Sequence, residues 1–406
     1  MVTLNEFEMK NLIKYLLFFA VLGLIGSCSK SDLNNHEPIN KDGEIPGQVT
    51  NVKIENGPGS AIITYTLPKS QDLQYVLAKY SINNEIVREA KSSRYGDTIR
   101  VDGFNKEGEY QVELFSVSKS EKLSEPVVIK VNPSEPTFRT IAKSMSIRED
   151  FGGMNVTFQN PEESKIAVVI LTKDNNDEFS PTETFYTAIK NGSFSVRGYE
   201  PELRTFGVYI KDRWNNHSDT VYKEVKPLFE KILDKSKFRQ YVLPGDQPAA
   251  WGWVMSNMWD NKLGEPGFHT LQGALPRPHK FTFDLGAVVK LSRFKLLQRT
   301  GSWFYAHGNP KEWRMYGSAT VPDASGEMDK WIKLMDCYSV KPSGLPVGQV
   351  SDDDRNHANG IDGLGEEFNF PLNAPPVRYI RMEIIKNWGN TDFFHALELT
   401  FWGDPQ

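Results

Sequence analysis

Short runs in which apolar and polar residues alternate fill most of this sequence, and clusters of turn-forming residues separate them. A period of two indicates a half-buried β-strand, because successive side chains of a strand point to opposite faces. Between residues 46 and 133 the strand-like runs are AIITYTLP (61–68), YVLAKYSI (75–82), TIRVDGF (98–104), YQVELFSV (110–117) and PVVIKV (126–131). Their spacing predicts a β-sandwich of about ninety residues.

A second segment, residues 134–226, repeats this scheme. Its runs are MNVTFQNP (154–161), KIAVVILT (165–172), FSVRGY (194–199) and FGVYIKD (206–212). Tyr110 opens the penultimate run of the first segment, which resembles the tyrosine corner of fibronectin type III and immunoglobulin-like sandwiches. Phe206 stands at the matching place in the second segment and has no hydroxyl to form that corner. The sequence therefore predicts two tandem sandwiches of this kind.

The rest of the chain, from residue 227, begins with a different pattern. PLFEKILDKSKFRQ (227–240) has apolar residues at helical spacing, which predicts a connecting helix within residues 227–244. Strand-like runs then resume as KFTFDLG (280–286), KLSRFKLLQR (290–299), EWRMYGSA (312–319), KWIKLMDC (330–337), EEFNF (366–370), VRYIRMEII (377–385) and FHALELTFWG (394–403). Eight of the nine Trp residues lie beyond residue 240, so the search for a recognition surface concentrates there.

The N-terminus has the pattern of an export signal. Lys10 and Lys14 precede the apolar run LLFFAVLGLIG (16–26), which is too short for a stable membrane span. The residues that follow resemble the bacterial lipobox, whose cysteine, here Cys28, becomes acylated and ties the protein to a membrane. Residues 1–28 are then a lipoprotein signal peptide; an uncleaved anchor helix is the alternative.

Two details complete the N-terminal prediction. Glu6 and Glu8 fit an export signal poorly, so translation starts either at Met1 or at Met9. The polar residues 29–45 show no periodicity and predict a flexible tether.

Composition and motifs exclude several classes of function. The net charge of −5 provides no basic field for nucleic acid. No H-E-x-x-H, G-x-S-x-G or phosphate-loop motif occurs, and no pair of carboxylates stands out as a glycosidase pair, so we expect no enzyme. SDDDRNHANGIDG (351–363) departs from a calcium loop at His357 and predicts a solvated insertion loop. Cys337 lies in an apolar stretch and is expected to be buried.

The order of motifs in the C-terminal third carries a specific resemblance. These motifs are SNMWDNK (256–262), FHT (268–270), FDLGAVVKLSRFKLLQR (283–299), EWRMYGSA (312–319), VRYIRMEIIKNWG (377–389) and ALELTFWG (396–403). Together they resemble the discoidin, or coagulation factor five/eight type C, domain over residues 245–406. The tandem pair followed by this module resembles surface lipoproteins encoded in the polysaccharide-utilisation loci of Gram-negative bacteria.

The resemblance implies an all-β chain that ends in a galactose-binding-like jelly-roll sandwich with ligand loops at one end. It also places the protein on the outer membrane, facing the cell exterior. Sugar recognition needs aromatic faces and planar polar groups, and three loops supply them: residues 251–259, 299–309 and 387–395. The predicted glycan-binding residues are Trp259, Arg299, Trp303, Tyr305, His307, Asn309, Asn387, Trp388 and Asn390.

The tryptophans outside this set divide into two groups. The sequence around Trp251 and Trp253 is as consistent with core or inter-domain packing as with exposure to a ligand. Trp313, Trp331 and Trp402 lie in strand-like runs and are predicted to be core residues.

The resemblance also implies a structural Ca²⁺ ion. Its ligands by position are the carboxylates of Asp260 and Glu398 and the carbonyl of Ala396, but GEPG (264–267) lacks the threonine that the family usually supplies. The alternative is that Asp260 caps a turn and Glu398 pairs with an arginine, Arg378 or Arg381.

The sequence thus predicts a non-catalytic surface lipoprotein that binds a polysaccharide or oligosaccharide. The alternative is a structural or docking protein that contacts an outer-membrane transporter or enzyme, because exposed aromatic residues are also enriched in protein interfaces.

Overall fold

The computed structural model describes residues 43–83 and 86–405, so the predicted signal peptide, Cys28 and most of the tether lie outside the described residues. Within the described part, no helix is both long and apolar enough to cross a membrane. The chain is nearly all β, which confirms the predicted fold class. It forms two compact units with a boundary after Thr137, and each unit is considered separately.

The first unit is a sandwich of two antiparallel sheets. Its strands are β1 (Thr50–Gly57), β2 (Ser60–Thr66), β3 (Leu73–Ser81), β4 (Val87–Ser93), β5 (Thr98–Asp102), β6 (Tyr110–Ser118) and β7 (Val127–Val131). The sheet orders are β1-β2-β5 and β4-β3-β6-β7. Alternate side chains of both sheets fill the core, among them Ile63, Val76 and Val112.

The tyrosine corner is present in this unit. The Tyr110 hydroxyl donates to the backbone carbonyl of Lys106 at 3.0 Å, and its ring centroid lies 4.4 Å from that of Phe104. The bond fixes the chain where it enters β6. In the second sandwich Phe206 is fully buried and packs edge-on against Tyr199 instead.

The second unit contains the second sandwich and the C-terminal module. The sandwich follows a short helix, α1 (Thr137–Lys143). Its strands are β8 (Ser146–Asp150), β9 (Gly153–Gln159), β10 (Ile166–Lys173), β11 (Phe179–Thr187), β12 (Asn191–Val196), β13 (Arg204–Asp212) and β14 (Val221–Val225). The sheet orders are β12-β9-β8 and β11-β10-β13-β14.

The C-terminal module is built from ten strands. They are β15 (Lys231–Ile232), β16 (Arg239–Gln240), β17 (Phe268–His269), β18 (His279–Leu297), β19 (Pro310–Ser318), β20 (Ile332–Tyr338), β21 (Glu366–Asn369), β22 (Val377–Asn387), β23 (His395–Ala396) and β24 (Glu398–Pro405). Its main hydrogen-bonded order is β15-β24-β18-β22-β19-β20, with β16 and β21 also on β18. The predicted core residues Trp313, Trp331, Trp402 and Cys337 are all buried.

One strand serves both layers of this module. The first part of β18 pairs with β22 and its last part pairs with β24 and β21. The chain bends between them at Gly286, where φ is +79° and a Cβ atom would lie 2.7 Å from the Cβ of Lys237. Only glycine fits this position without displacing a neighbour. Phe281 and Phe294, from the two parts of β18, are fully buried in one shared core.

The predicted connecting helix within residues 227–244 is wrong. This segment contains β15, β16 and a single turn of 3-10 helix, Lys235–Lys237. β15 pairs with β24, and Leu233 enters the core of the C-terminal module. Pairing with a sheet edge therefore overrides a weak helical spacing of apolar residues.

The insertion at 351–363 is mostly exposed, but it is not a loop throughout, because it contains a helix, α2 (Asp352–Asn359). Ser351 and Asp354 form a capping box at its N-terminus. Asp354 further accepts hydrogen bonds from the backbone and the hydroxyl of Ser343. The helix has little apolar surface, so hydrophobic periodicity does not reveal it.

A buried carboxylate joins the second sandwich to the C-terminal module. Glu230, whose side chain is 7% exposed, accepts hydrogen bonds from Arg197 at 3.0 Å and from Ser292 at 2.6 Å. Arg293 adds two contacts of 3.2 Å to the same carboxylate, and Arg197 reaches Asn369 at 2.9 Å. We call this network the Glu230 junction.

Candidate functional site

A group of half-buried aromatic and charged side chains lies beside the end of β18. The guanidinium carbon of Arg299 is 4.8 Å from the ring centroid of Trp253 and 4.9 Å from that of Trp303. Glu265 binds the same guanidinium through two hydrogen bonds, Nε to Oε1 at 2.7 Å and Nη2 to Oε2 at 3.1 Å. Cation–π contacts and a bidentate ion pair together fix the plane of the guanidinium.

His307 completes this group. Its ring centroid lies 4.5 Å from that of Trp303, and its backbone adopts a left-handed conformation with φ of +54°. The side chains of Trp253, Trp303 and His307 are all half-exposed. We call Trp253, Glu265, Arg299, Trp303 and His307 the tryptophan–arginine cluster.

Asn309 supports this cluster from inside the protein. It is fully buried, and its amide donates to the backbone carbonyls of Arg299 at 3.0 Å and Trp303 at 2.7 Å. Its carbonyl oxygen accepts from the backbone N–H of Arg299 at 2.8 Å. The predicted glycan contact is therefore corrected: Asn309 is the centre of the loop and its side chain is not available to a ligand.

Three further predicted contacts need the same correction. Tyr305 is fully buried, and its hydroxyl lies 3.1 Å from Nδ1 of His357. Asn387 is buried and its amide donates to the carbonyls of Thr391 and Phe393. Trp259 is 7% exposed and lies in the main core. Position in a polar loop did not reveal which side chains turn inward.

Two other predicted residues are at least partly exposed but make other contacts. Trp388 is half-buried and packs edge-on against Tyr305, with the Lys311 ammonium 4.4 Å from its ring centroid. Asn390 is exposed and accepts a hydrogen bond from Arg277 at 2.8 Å. The structure therefore brings Arg299, Trp303 and His307 together, whereas Trp388 faces a lysine.

The cluster also contains two residues that sequence reasoning did not select. Trp253 was equally compatible with core packing, and its contact with Arg299 depends on the tertiary fold. Glu265 lies in an exposed polar turn, and nothing in the sequence distinguishes it from other surface acids.

Three histidines lie behind the cluster. Nδ1 of His307 is 3.0 Å from Nε2 of His395, and the ring centroids of His269 and His395 are 5.4 Å apart. Burial, together with the neighbouring histidines and Arg299, lowers the pKa of His395 to about 2. Burial likewise lowers the pKa of His269 and of His307. Among the described residues, no group of three His, Cys, Asp or Glu side chains is arranged to hold a metal ion.

The residues implied as calcium ligands have other partners. Glu398 is fully buried, and its Oε1 accepts from the Lys235 ammonium at 2.5 Å and from the Asn261 N–H at 3.3 Å. Burial raises the pKa of Glu398 to about 7, against the lowering effect of Lys235. Ala396 lies in β23, paired with Phe268. A lysine ammonium bound to Glu398 would repel a divalent cation at the same carboxylate, so these residues as arranged do not fit a calcium site.

Asp260 follows the alternative prediction, because it closes a turn. It lies at the C-terminal end of a 3-10 helix, Met255–Trp259, and accepts from the backbone N–H of Lys262 at 2.8 Å. The proposed arginine partners of Glu398 bind other acids: Arg378 binds Asp284 and Arg381 binds Asp246.

Comparison with known proteins covers all three segments. Three family models, each described as a domain of unknown function, match residues 46–133, 134–236 and 257–403 (DUF4959, DUF5126 and DUF5000). No curated protein matches the chain.

Several solved structures are similar to the chain. A carbohydrate-binding module, CBM32-3, from a family 31 glycoside hydrolase of Clostridium perfringens has 20% identity and a TM-score of 0.31, covering 43% of this chain and 95% of its own. The family 32 module of C. perfringens NanJ, in complex with galactose, has 14% identity and a TM-score of 0.30, covering 43% and 98%.

The SusE-like protein BT2857 has 31% identity and a TM-score of 0.43, and the match covers 67% of this chain and 100% of that one. Because this sequence identity extends over the whole of the SusE-like chain, the protein belongs to the SusE-like family.

Proposed function

We propose that the protein is a non-catalytic surface lipoprotein that captures a polysaccharide or oligosaccharide through the tryptophan–arginine cluster. The observation that carries the proposal is the fixed guanidinium of Arg299 between the two half-exposed indoles of Trp253 and Trp303. An indole face can stack on the C–H face of a pyranose ring. Polar groups beside the rings can form hydrogen bonds with the sugar hydroxyls.

The preorganisation of the cluster favours binding at this position over the other aromatic residues. Glu265 and the buried Asn309 hold Arg299 and the backbone of Trp303 in place before any ligand arrives. A side chain ordered in advance loses less conformational entropy on binding. Trp388, in contrast, packs edge-on against the buried Tyr305 and belongs to a separate apolar cluster.

The anchoring part of the proposal rests on the sequence before residue 29. An acylated Cys28 would hold the binding module at the membrane surface. Metabolic labelling with a fatty acid should mark the wild-type protein and fail in Cys28→Ala. Label that persists in the variant would contradict anchoring at this residue.

Affinity gel electrophoresis of the whole mature chain against plant, host and microbial polysaccharides tests the binding site. We expect retardation by at least one glycan, and Trp303→Ala should weaken it by about thirtyfold, since a central aromatic anchor contributes about 2 kcal/mol. Tyr95→Ala, at a residue 81% exposed in the first sandwich, is the matched control and should bind as wild type.

Thermal melting accompanies each variant, because Trp303 is half-exposed and its loss should change the melt little. Absence of binding to every glycan would overturn the proposal, and so would unchanged binding by Trp303→Ala. A membrane transporter or enzyme recovered by pull-down without glycan would then support the docking alternative.

A further inference from the structure

We propose that His395 is a positioning residue that fixes the tautomer of His307, so that the tryptophan–arginine cluster presents a hydrogen-bond acceptor to its ligand. The ligand class follows from this polarity: an uncharged saccharide that donates a hydroxyl proton to Nε2 of His307. The identity of the ligand rests on the proposed function, whereas the tautomer does not.

A backbone amide determines which nitrogen of His395 carries the proton. The N–H of Gly308 points at Nε2 of His395 over 3.1 Å. A backbone N–H can only donate, so this nitrogen of His395 must be an unprotonated acceptor. His395 is fully buried and uncharged in this arrangement, and its proton is on Nδ1.

Nε2 of His395 then determines the tautomer of His307. Nδ1 of His307 lies 3.0 Å from Nε2 of His395. Two lone pairs would repel at this distance, so Nδ1 of His307 carries the proton and donates it to the lone pair that also accepts from Gly308. In a neutral imidazole the other nitrogen, Nε2 of His307, is then an acceptor.

The ring of His307 is held in this orientation by its neighbours. It packs at 4.5 Å against Trp303 and edge-on at 4.6 Å against Phe393. Its own carbonyl accepts from the N–H of Gly389 at 2.8 Å, which fixes the backbone. Burial and the charge of Arg299 lower the pKa of His307, so Nε2 is unprotonated at neutral pH. Nε2 of His307 has no hydrogen-bond partner among the described residues, and it is not one of the buried polar atoms.

The donors and acceptors of the tryptophan–arginine cluster determine which chemical groups can bind there. Arg299 offers donors beside Trp303, and His307 offers an acceptor beside the same indole. A sugar hydroxyl can accept from the first and donate to the second, whereas an ionised carboxylate only accepts and would oppose the lone pair of His307. The arrangement therefore favours hydroxyl groups over carboxylates at this position.

Nitrogen-15 NMR of the whole mature chain, with long-range correlations to the imidazole protons, reads the tautomer directly. We expect His307 with a protonated Nδ1 and a bare Nε2 in the wild type. His395→Phe keeps a ring but removes the acceptor, and should give mixed tautomers of His307 and about tenfold weaker glycan binding. His395→Gln places an amide oxygen near the lost Nε2 and should restore both properties.

The wild-type spectrum keeps the inference testable even if a variant fails to fold. A His307 protonated on Nε2 in the wild type would overturn the inference, whether or not glycan binds. The expected tautomer in a protein that binds no glycan would support the positioning role of His395 and reject the proposed function instead. Equal binding and the wild-type tautomer in a folded His395→Phe would also overturn it.

Discussion

Glu265 neutralises the only arginine of the tryptophan–arginine cluster, and replacing it should change which glycans bind. Glu265→Gln keeps an amide oxygen that can accept from Arg299 but removes the negative charge. The two side chains are 48% and 17% exposed. A half-exposed pair of this kind contributes less than about 1 kcal/mol to stability, so the variant should stay folded.

The size of the effect follows from the charge left on Arg299. A carboxylate about 4 Å from an uncompensated guanidinium gains about 1 kcal/mol in bulk water and about 4 kcal/mol at an effective dielectric constant of 20. The cluster is half-exposed, which places the gain near 1–2 kcal/mol, or about five- to thirtyfold in the ratio of dissociation constants for acidic and neutral glycans.

Affinity electrophoresis with a neutral polysaccharide and a uronate-bearing one measures that ratio for wild type and Glu265→Gln. Glu55→Gln makes the same charge change at an exposed site of the first sandwich and serves as the control. The gain for acidic glycan should shrink at high salt, because ions screen exposed charges. A wild type that already prefers the acidic glycan, or a Glu265→Gln ratio equal to that of the control at low salt, would refute the reasoning.

The remaining predictions concern stability. Tyr110→Phe removes the hydroxyl that closes the tyrosine corner and should lower the free energy of unfolding by about 1 kcal/mol; an unchanged urea midpoint would contradict this. Burial raises the pKa of Glu366 to about 7 from 4.5, so the native state holds the proton more tightly and stability should fall as pH rises through this interval. Glu366→Gln should abolish that part of the fall in melting temperature, and an identical pH profile would count against it. Lys235→Met leaves the Glu398 carboxylate buried without its cation and should lower the free energy of unfolding by about 3–5 kcal/mol. The wild type should have the same melting temperature in calcium and in chelator, and a rise of the melting temperature with calcium would support the metal site after all.

Most strands could be predicted because the pattern of apolar residues that identifies a strand lies within the strand itself. Alternation along the sequence identifies β6, and short apolar runs between turn residues identify β3, β10 and β22, without any knowledge of their partners. The segment after residue 226 was mispredicted because two-residue strands carry too few side chains to show a period. Their conformation comes from the sheet edges that they join.

The site was predictable to a smaller extent, for a different physical reason. Aromatic and charged residues next to glycine in a loop pointed to Arg299, Trp303 and His307, which the structure brings together. The same signal also selected Tyr305 and Asn309, whose side chains turn inward to satisfy buried hydrogen-bond partners. Inward or outward direction depends on the tertiary fold, and loop composition does not encode it.

The Glu230 junction has a mechanical consequence for the proposed binding of a polysaccharide. Its carboxylate is withdrawn from water and shared by arginines of the second sandwich and of the C-terminal module. Breaking one such contact would strand a buried charge, which resists opening of the joint. Under the proposed function, tension from a bound polysaccharide would therefore pass from the C-terminal module to the second sandwich with little change in the angle between them.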